Sequence, residues 1–209
     1  MMPFLVLAAT LLAGGAWCSM LCYFGPLDAF AGKGAVKKPS PFLLAAFAYG
    51  RLVTLGLGVF AALIFRSAGV ASFTAGLVGI GFGVGGVVFM SFFSRRYHGM
   101  AHCTSYCPMG LVVTLLGRIS PWRIKVDGKT CDNCGACEKT CAYRAITKKS
   151  RERETTLARC SMCRDCIAVC RKNSLYVYSP FLPKKVAEEI FVTTVAVLHV
   201  LFIAAARPY

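Results

Sequence analysis

CDNCGACEKTCAYRAITKKSRERETTLARCSMCRDCIAVC, residues 131–170, carries eight cysteines in two copies of one spacing. The first copy is Cys131, Cys134, Cys137 and Cys141, and the second is Cys160, Cys163, Cys166 and Cys170. Each reads C-x2-C-x2-C-x3-C, and every cysteine of the first recurs 29 residues later. A cubane iron–sulfur cluster needs four thiolates converging on one small volume. Three closely spaced cysteines can wrap one face, and the fourth must come from elsewhere. Where two such runs share a chain, the last cysteine of each ligates the other cluster. The spacing therefore assigns one cluster to Cys131, Cys134, Cys137 and Cys170, and the other to Cys160, Cys163, Cys166 and Cys141. Zinc sites show two cysteine pairs divided by a longer spacer, not runs of four. Disulfides need an oxidising compartment, and this segment reads as cytoplasmic.

Outward from that stretch, the chain segregates. It has 209 residues, 56% of them hydrophobic, a positive mean hydropathy and yet a formal charge of +15. Long apolar runs fill residues 1–17, 41–65, 74–93 and 189–206, while most of the charge lies between 94 and 185. A soluble domain would interleave the two, so the pattern predicts a membrane protein with a polar module set into it. A bilayer-crossing helix takes about 20 apolar residues. The stretches 75–93 and 42–65 meet that length, 190–206 makes a short span, and 2–17 a marginal one. The competing reading of 2–17 is a cleaved leader. No Lys or Arg precedes its apolar run, however, and Trp17 directly before Cys18 suits no such cleavage, so a helix is expected.

Orientation follows from the basic residues. In a four-helix arrangement, of 24 Lys and Arg only Arg66 and Arg207 fall on one side, and Arg51 lies within a span. The rest, including Lys33, Lys37, Lys38, Arg95, Arg96, Lys184 and Lys185, share the other side. The positive-inside rule makes that side the cytoplasm. Because the charge flanks spans and cysteine runs, it points to the lipid surface and anionic partners, not to nucleic acid.

Four more cysteines form two C-x3-C pairs: Cys18 and Cys22 in AWCSMLCYFGPL, and Cys103 and Cys107 in AHCTSYCPMGLV. Each pair follows an apolar run and has a glycine three residues past its second cysteine, Gly25 or Gly110, which suggests an internal repeat. On an α-helix, positions i and i+4 share a face, so each pair would present two thiols together. Brought together, the pairs would make a site for a third cluster, Cu(I) or zinc. Redox-active thiols and simple buried packing are the alternatives. Arg51, inside an apolar run, must pair, line a polar site or lie at the headgroups. His199, inside the last run, could meet a cofactor or bond across a helix contact. His98 and His102 have metal-like spacing but also suit a headgroup contact. The connector KKSRERETTLAR reads as a solvated basic loop, and Tyr143–Thr147 and Ser174–Tyr178 as short strands. No nucleophile–base set, phosphate loop or carboxylate pair stands out among only nine acidic residues, so no catalytic residue is assigned.

AWCSMLC, then AHCTSYCPMGLVVTLLGR, then the two cysteine runs, resembles the order seen in membrane polyferredoxins. These include the quinol-oxidising subunit of periplasmic nitrate reduction, nitrous-oxide regulators and oxidase-assembly cupric reductases. Proline follows Cys107 as in that family, whereas Tyr23 follows Cys22, and Ala142 and Arg171 stand where proline is usual. The resemblance implies a membrane all-α fold of about four transmembrane helices with an inserted α+β dicluster bacterial-type ferredoxin module. The expected segments are a membrane part (1–122), the ferredoxin module (123–180) and a C-terminal helix (181–209). The implied role is electron transfer within a larger membrane redox complex, as a subunit and not a self-sufficient enzyme. Two 4Fe-4S clusters would relay electrons between a cytoplasmic donor or the quinone pool and a partner subunit. Copper reduction for metal handling and a thiol-based membrane reductant are the rival roles.

Overall fold

The computed structural model describes residues 2–34 and 41–205. It divides into two compact units, Met1–Pro26 with Val113–Tyr209, and Leu27–Val112.

The second of these units is built on two long helices. α3 runs Pro41–Ser67 and α4 runs Ser72–Phe89, continuing through a π-helical turn, Met90–Ser94, into the short α5, Arg95–Tyr97. Gly69, at φ 62, makes the reversal between them. That left-handed conformation is one glycine takes without steric cost. Leu52, Leu57, Phe60 and Leu63 on α3, and Ile80, Val84 and Val88 on α4, are all exposed. Apolar surface this continuous is unfavourable in water and is what lipid covers. Tyr49–Ser67, Ser72–Tyr97 and, in the other unit, Lys184–Ala205 are the three helices among the described residues long and apolar enough to cross a membrane.

The first apolar run is helical only as α1, Met2–Ala13. At 1.5 Å per residue that is about 18 Å, short of a hydrocarbon layer of about 30 Å. The helix stops because Gly14 turns to φ 59. After it come a π-helical turn, Trp17–Leu21, and α2, Phe24–Ala31. Expected spans at 42–65 and 75–93 fall within α3 and within α4 with its extension; the last, 190–206, lies in α10, Lys184–Ala205, except for residue 206, which is outside the described residues.

The chain passes from one unit to the other within α6, Pro108–Leu116, and the unit it enters holds a two-stranded antiparallel sheet. β1, Arg123–Val126, pairs with β2, Leu175–Tyr178, in the register Arg123↔Tyr178 through Val126↔Leu175. Period-two alternation buries Ile124, Val126, Leu175 and Val177 and turns Lys125 and Tyr178 outward, with Lys125 Nζ 3.8 Å from the Tyr178 ring. Short helices α7 (Ala136–Thr140), α8 (Lys148–Glu152) and α9 (Asp165–Ala168) lie between the strands. Phe191 of α10 is fully buried, with the Trp122 ring edge-on at 5.4 Å, which seats the C-terminal helix on the module.

One strand expectation is corrected. Ser174–Tyr178 contains β2, but Tyr143–Thr147 is not a strand. Arg144 sits at φ 51, the Ala145 amide donates to Cys141 Sγ at 3.2 Å, and Thr147 caps α8. Its backbone groups are taken by the thiol and the cap, so β2 pairs with β1 instead.

Candidate metal centre

The two cysteine runs fold alike. Asn133 (φ 56) and Gly135 (φ 75) in the first match Met162 (φ 57) and Arg164 (φ 68) in the second. A short helix follows in each, α7 or α9, and the two helices pack together. Arg144 (φ 51) and Asn173 (φ 49) then turn the chain identically. The Ala145 amide donates to Cys141 Sγ at 3.2 Å, and the Ser174 amide to Cys170 Sγ at 3.3 Å. Holding non-glycine residues in the left-handed region costs roughly 1–2 kcal/mol each. The same left-handed positions thus recur in both runs, each taken by glycine or asparagine in one copy and by a costlier side chain in the other.

Cys160, Cys163 and Cys166 line a cavity together with Cys141, the last cysteine of the other run. Ile124, Tyr143, Ala145, Ile146, Ser161 and Asp165 complete its walls. Burial pushes the Cys163 thiol up to about 12, with Cys160 and Cys141 adding to the shift. Burial raises Cys166 as well, and Cys160, Cys163, Cys141 and Cys137 all act on it. In the first run burial raises Cys137, which feels both Cys131 and Cys134. Among the described residues no three His, Cys, Asp or Glu side chains converge closely enough to hold a single metal ion. The second-run thiols stand around a shared cavity instead, Cys131 is half-buried, and Cys134 is exposed. Buried thiols with raised pKa values lose their protons as metal binds, so loading is coupled to proton release.

Three arginines that sequence reasoning passed over offset that thiolate charge. Arg151, in the connector expected to be solvated, is buried, pairs with Glu138 at 2.8 Å and faces Cys137. Arg123 acts on Cys160 while donating to the carbonyls of Gly117, Ser120 and Trp122. Arg159 acts on Cys141 and donates twice to the Arg144 carbonyl, at 3.1 and 2.9 Å. Soft thiolates with cations behind them suit an anionic iron–sulfur cluster.

The N-terminal segment of the same unit lies directly on the second run. Ser19 Oγ donates to the Ser161 carbonyl at 2.7 Å, and Trp122 Nε1 to the Leu12 carbonyl at 2.8 Å. Gly15 abuts the Cys160 carbonyl so closely that a Cβ would overlap it. Gly15→Ala is therefore expected to push the two segments apart, costing about 1–3 kcal/mol. Thermal unfolding in detergent and iron content measure this; unchanged values for both would contradict the contact.

Both C-x3-C pairs share a local fold, each seen within its own unit. Cys18 lies in the π-turn Trp17–Leu21 and Cys103 in the π-turn His102–Tyr106. The second cysteine of each is the extended residue that ends the turn. Its amide reaches back five residues, from Cys22 to the Trp17 carbonyl and from Cys107 to the His102 carbonyl, both at 2.9 Å. Gly25 and Gly110 then donate to the carbonyls of Cys22 and Cys107, both at 3.2 Å, and a Cβ at either would overlap the Cys18 or Cys103 carbonyl. The repeat read from spacing is thus present in the backbone, as a π-turn in each copy. Single π-turns concentrate at functional sites.

Around Cys103 lies a buried polar web. Asp28, fully buried, accepts from Ser94 Oγ at 2.5 Å and from the Cys103 amide at 3.0 Å. Burial raises the Asp28 carboxyl and lowers the His102 imidazole, so each is driven toward its neutral form. His98 Nδ1, 2.7 Å from the Lys33 carbonyl, carries the proton there and donates. Arg51 Nη1 donates to the Gly110 carbonyl at 3.3 Å, so the arginine pairs with the second C-x3-C turn. His199 lines a groove along α10 with Met20, Arg164 and Val195.

The family described as a 4Fe-4S binding domain matches residues 1–41 and 75–127, which hold Cys18, Cys22, Cys103 and Cys107 and none of the eight later cysteines. YccM of Escherichia coli, named provisionally as an electron transport protein, is 28% identical over 106 residues, 49% of this chain and 29% of that one. MauN of Paracoccus denitrificans, a methylamine utilization ferredoxin-type protein, is 41% identical over 66 residues, 30% of this chain and 22% of that one. An uncharacterized protein of Methanocaldococcus jannaschii is 32% identical over 77 residues, 36% of this chain and 29% of that one. The matched stretches thus cover less than a third of each relative. No solved structure matches the chain.

Proposed function

We propose that this chain, a relative of the membrane-type 4Fe-4S ferredoxins, relays electrons as a subunit of a membrane redox complex. When bound, two 4Fe-4S clusters supply centres of tunable reduction potential, one held by Cys131, Cys134, Cys137 and Cys170, the other by Cys160, Cys163, Cys166 and Cys141. The observation that carries this reading is the cavity at which Cys141 joins the second run. The exposed Cys134 supports an exchange face for a soluble donor or a partner subunit at the first set. The contact of Gly15 and Ser19 with the second set supports a route from there toward the membrane segment. The basic excess favours a cytoplasmic position for the module. The family match over both C-x3-C pairs supports a metal-binding role for those cysteines, toward a cluster or copper.

Iron and sulfide analysis of anaerobically purified protein tests the reading. About eight irons per chain, with paramagnetic signals on reduction, is the expected result for two cubanes. Substantially fewer would sink it. Copper that vanishes with Cys103→Ser would favour the metal-handling role.

A further inference from the structure

We propose that the Ser161 hydroxyl donates a hydrogen bond to a sulfur of the cluster held by Cys160, Cys163, Cys166 and Cys141, and sets that centre's reduction potential. The inference rests on the two-cluster reading and adds a residue that ligand spacing does not reveal. Ser161 is 3% exposed and lines the same cavity as the four thiols. Its Oγ is inaccessible to solvent and has no hydrogen-bond partner among the described residues. A buried hydroxyl left unpaired costs about 1–3 kcal/mol, and folded proteins seldom leave one so. The residue is also held in place. Its carbonyl accepts from Ser19 Oγ at 2.7 Å, and the neighbouring Cys160 carbonyl is covered by Gly15.

The internal repeat supplies the contrast. Twenty-nine residues earlier the matching position is Asp132, between Cys131 and Cys134 as Ser161 lies between Cys160 and Cys163. Asp132 is exposed, and its Oδ1 accepts from the Cys134 amide at 3.2 Å. One loop thus offers a buried donor where its twin offers an exposed carboxylate. Cluster potentials follow hydrogen bonds to the sulfurs, net charge and exposure. A donor at sulfur stabilises the electron-rich reduced form, so it raises the potential.

The test is a potentiometric titration of the full chain in detergent, followed by low-temperature paramagnetic resonance, on wild type, Ser161→Ala and Ser161→Thr. Ser161→Ala is expected to move one midpoint negative, with a reduction equilibrium about tenfold less favourable, which is 59 mV for one electron. The other midpoint stays in place, and Ser161→Thr, keeping the hydroxyl, stays near wild type. If Ser161→Ala loses iron, Ser161→Gly, which also lacks the hydroxyl, carries the same comparison. Unchanged midpoints in a hydroxyl-less variant that still holds about eight irons would overturn the proposal alone. Equal shifts in the alanine and threonine variants would do the same, because the hydroxyl would not be the cause. A wild type with fewer than two reducible centres would instead overturn the two-cluster reading beneath it.

Discussion

Cys141→Ser strips iron from the second cysteine run, although Cys141 belongs by sequence to the first. The expected loss is from about eight irons per chain to about four. What remains should be the signal of the centre held by Cys131, Cys134, Cys137 and Cys170. The reason is spatial. Cys141 lines the cavity of Cys160, Cys163 and Cys166, and its sulfur is fixed there by the Ala145 amide. Serine offers a harder and more basic oxygen ligand, and a cluster with three thiolates at a buried site is poorly held. Two reference variants make the result decisive. Cys163→Ser should leave the same residual spectrum as Cys141→Ser, and Cys134→Ser should leave the complementary one. If Cys141→Ser matched Cys134→Ser instead, each run would bind its own cluster and the exchange of fourth ligands would be wrong.

The meeting of Cys141 with Cys160, Cys163 and Cys166 at one cavity is the part of that arrangement the intact 29-residue recurrence made legible. The positions that sequence could not reveal share one cause, contact between segments distant along the chain. Hydropathy extends the first helix to residue 17, but Gly14 ends α1 and the following glycine seats that turn against Cys160, far along the chain. Arg151 sits in a string of charges that reads as solvated, and only folding reveals Glu138 beside it and Cys137 in front. Tyr143–Thr147 has the composition of a strand and loses that role because its amides serve Cys141 and the α8 cap. Gly25 and Gly110 were the available signal for the π-turns, since each allows the chain to pass over a cysteine carbonyl. Nothing in the spacing marked Asp28. It is an isolated carboxylate in an apolar helix, and its importance appears only when its partners do.

Those partners define the second large effect. Asp28→Ala is expected to loosen the Cys103–Cys107 turn and release whatever metal that turn helps to hold. The carboxylate takes the Cys103 amide at 3.0 Å and Ser94 Oγ at 2.5 Å, and Ser94 Oγ in turn takes the Ala101 amide at 3.2 Å. Three segments are thereby tied at one buried point: α2, the end of the 72–97 span and the approach to Cys103. Alanine strands both donors, at about 1–3 kcal/mol for each. Asn keeps one acceptor oxygen but turns an amide toward the other donor, so Asp28→Asn should fall between wild type and alanine. Two measurements follow the effect. Cys103, now 7% exposed, should become reactive to a maleimide located by peptide mapping. Metal bound beyond the eight ferredoxin irons should fall as it does in Cys103→Ser, with both ferredoxin signals retained. Protected Cys103 and full metal content in Asp28→Ala would show that the turn holds its shape without the carboxylate, and that Asp28 merely fills space.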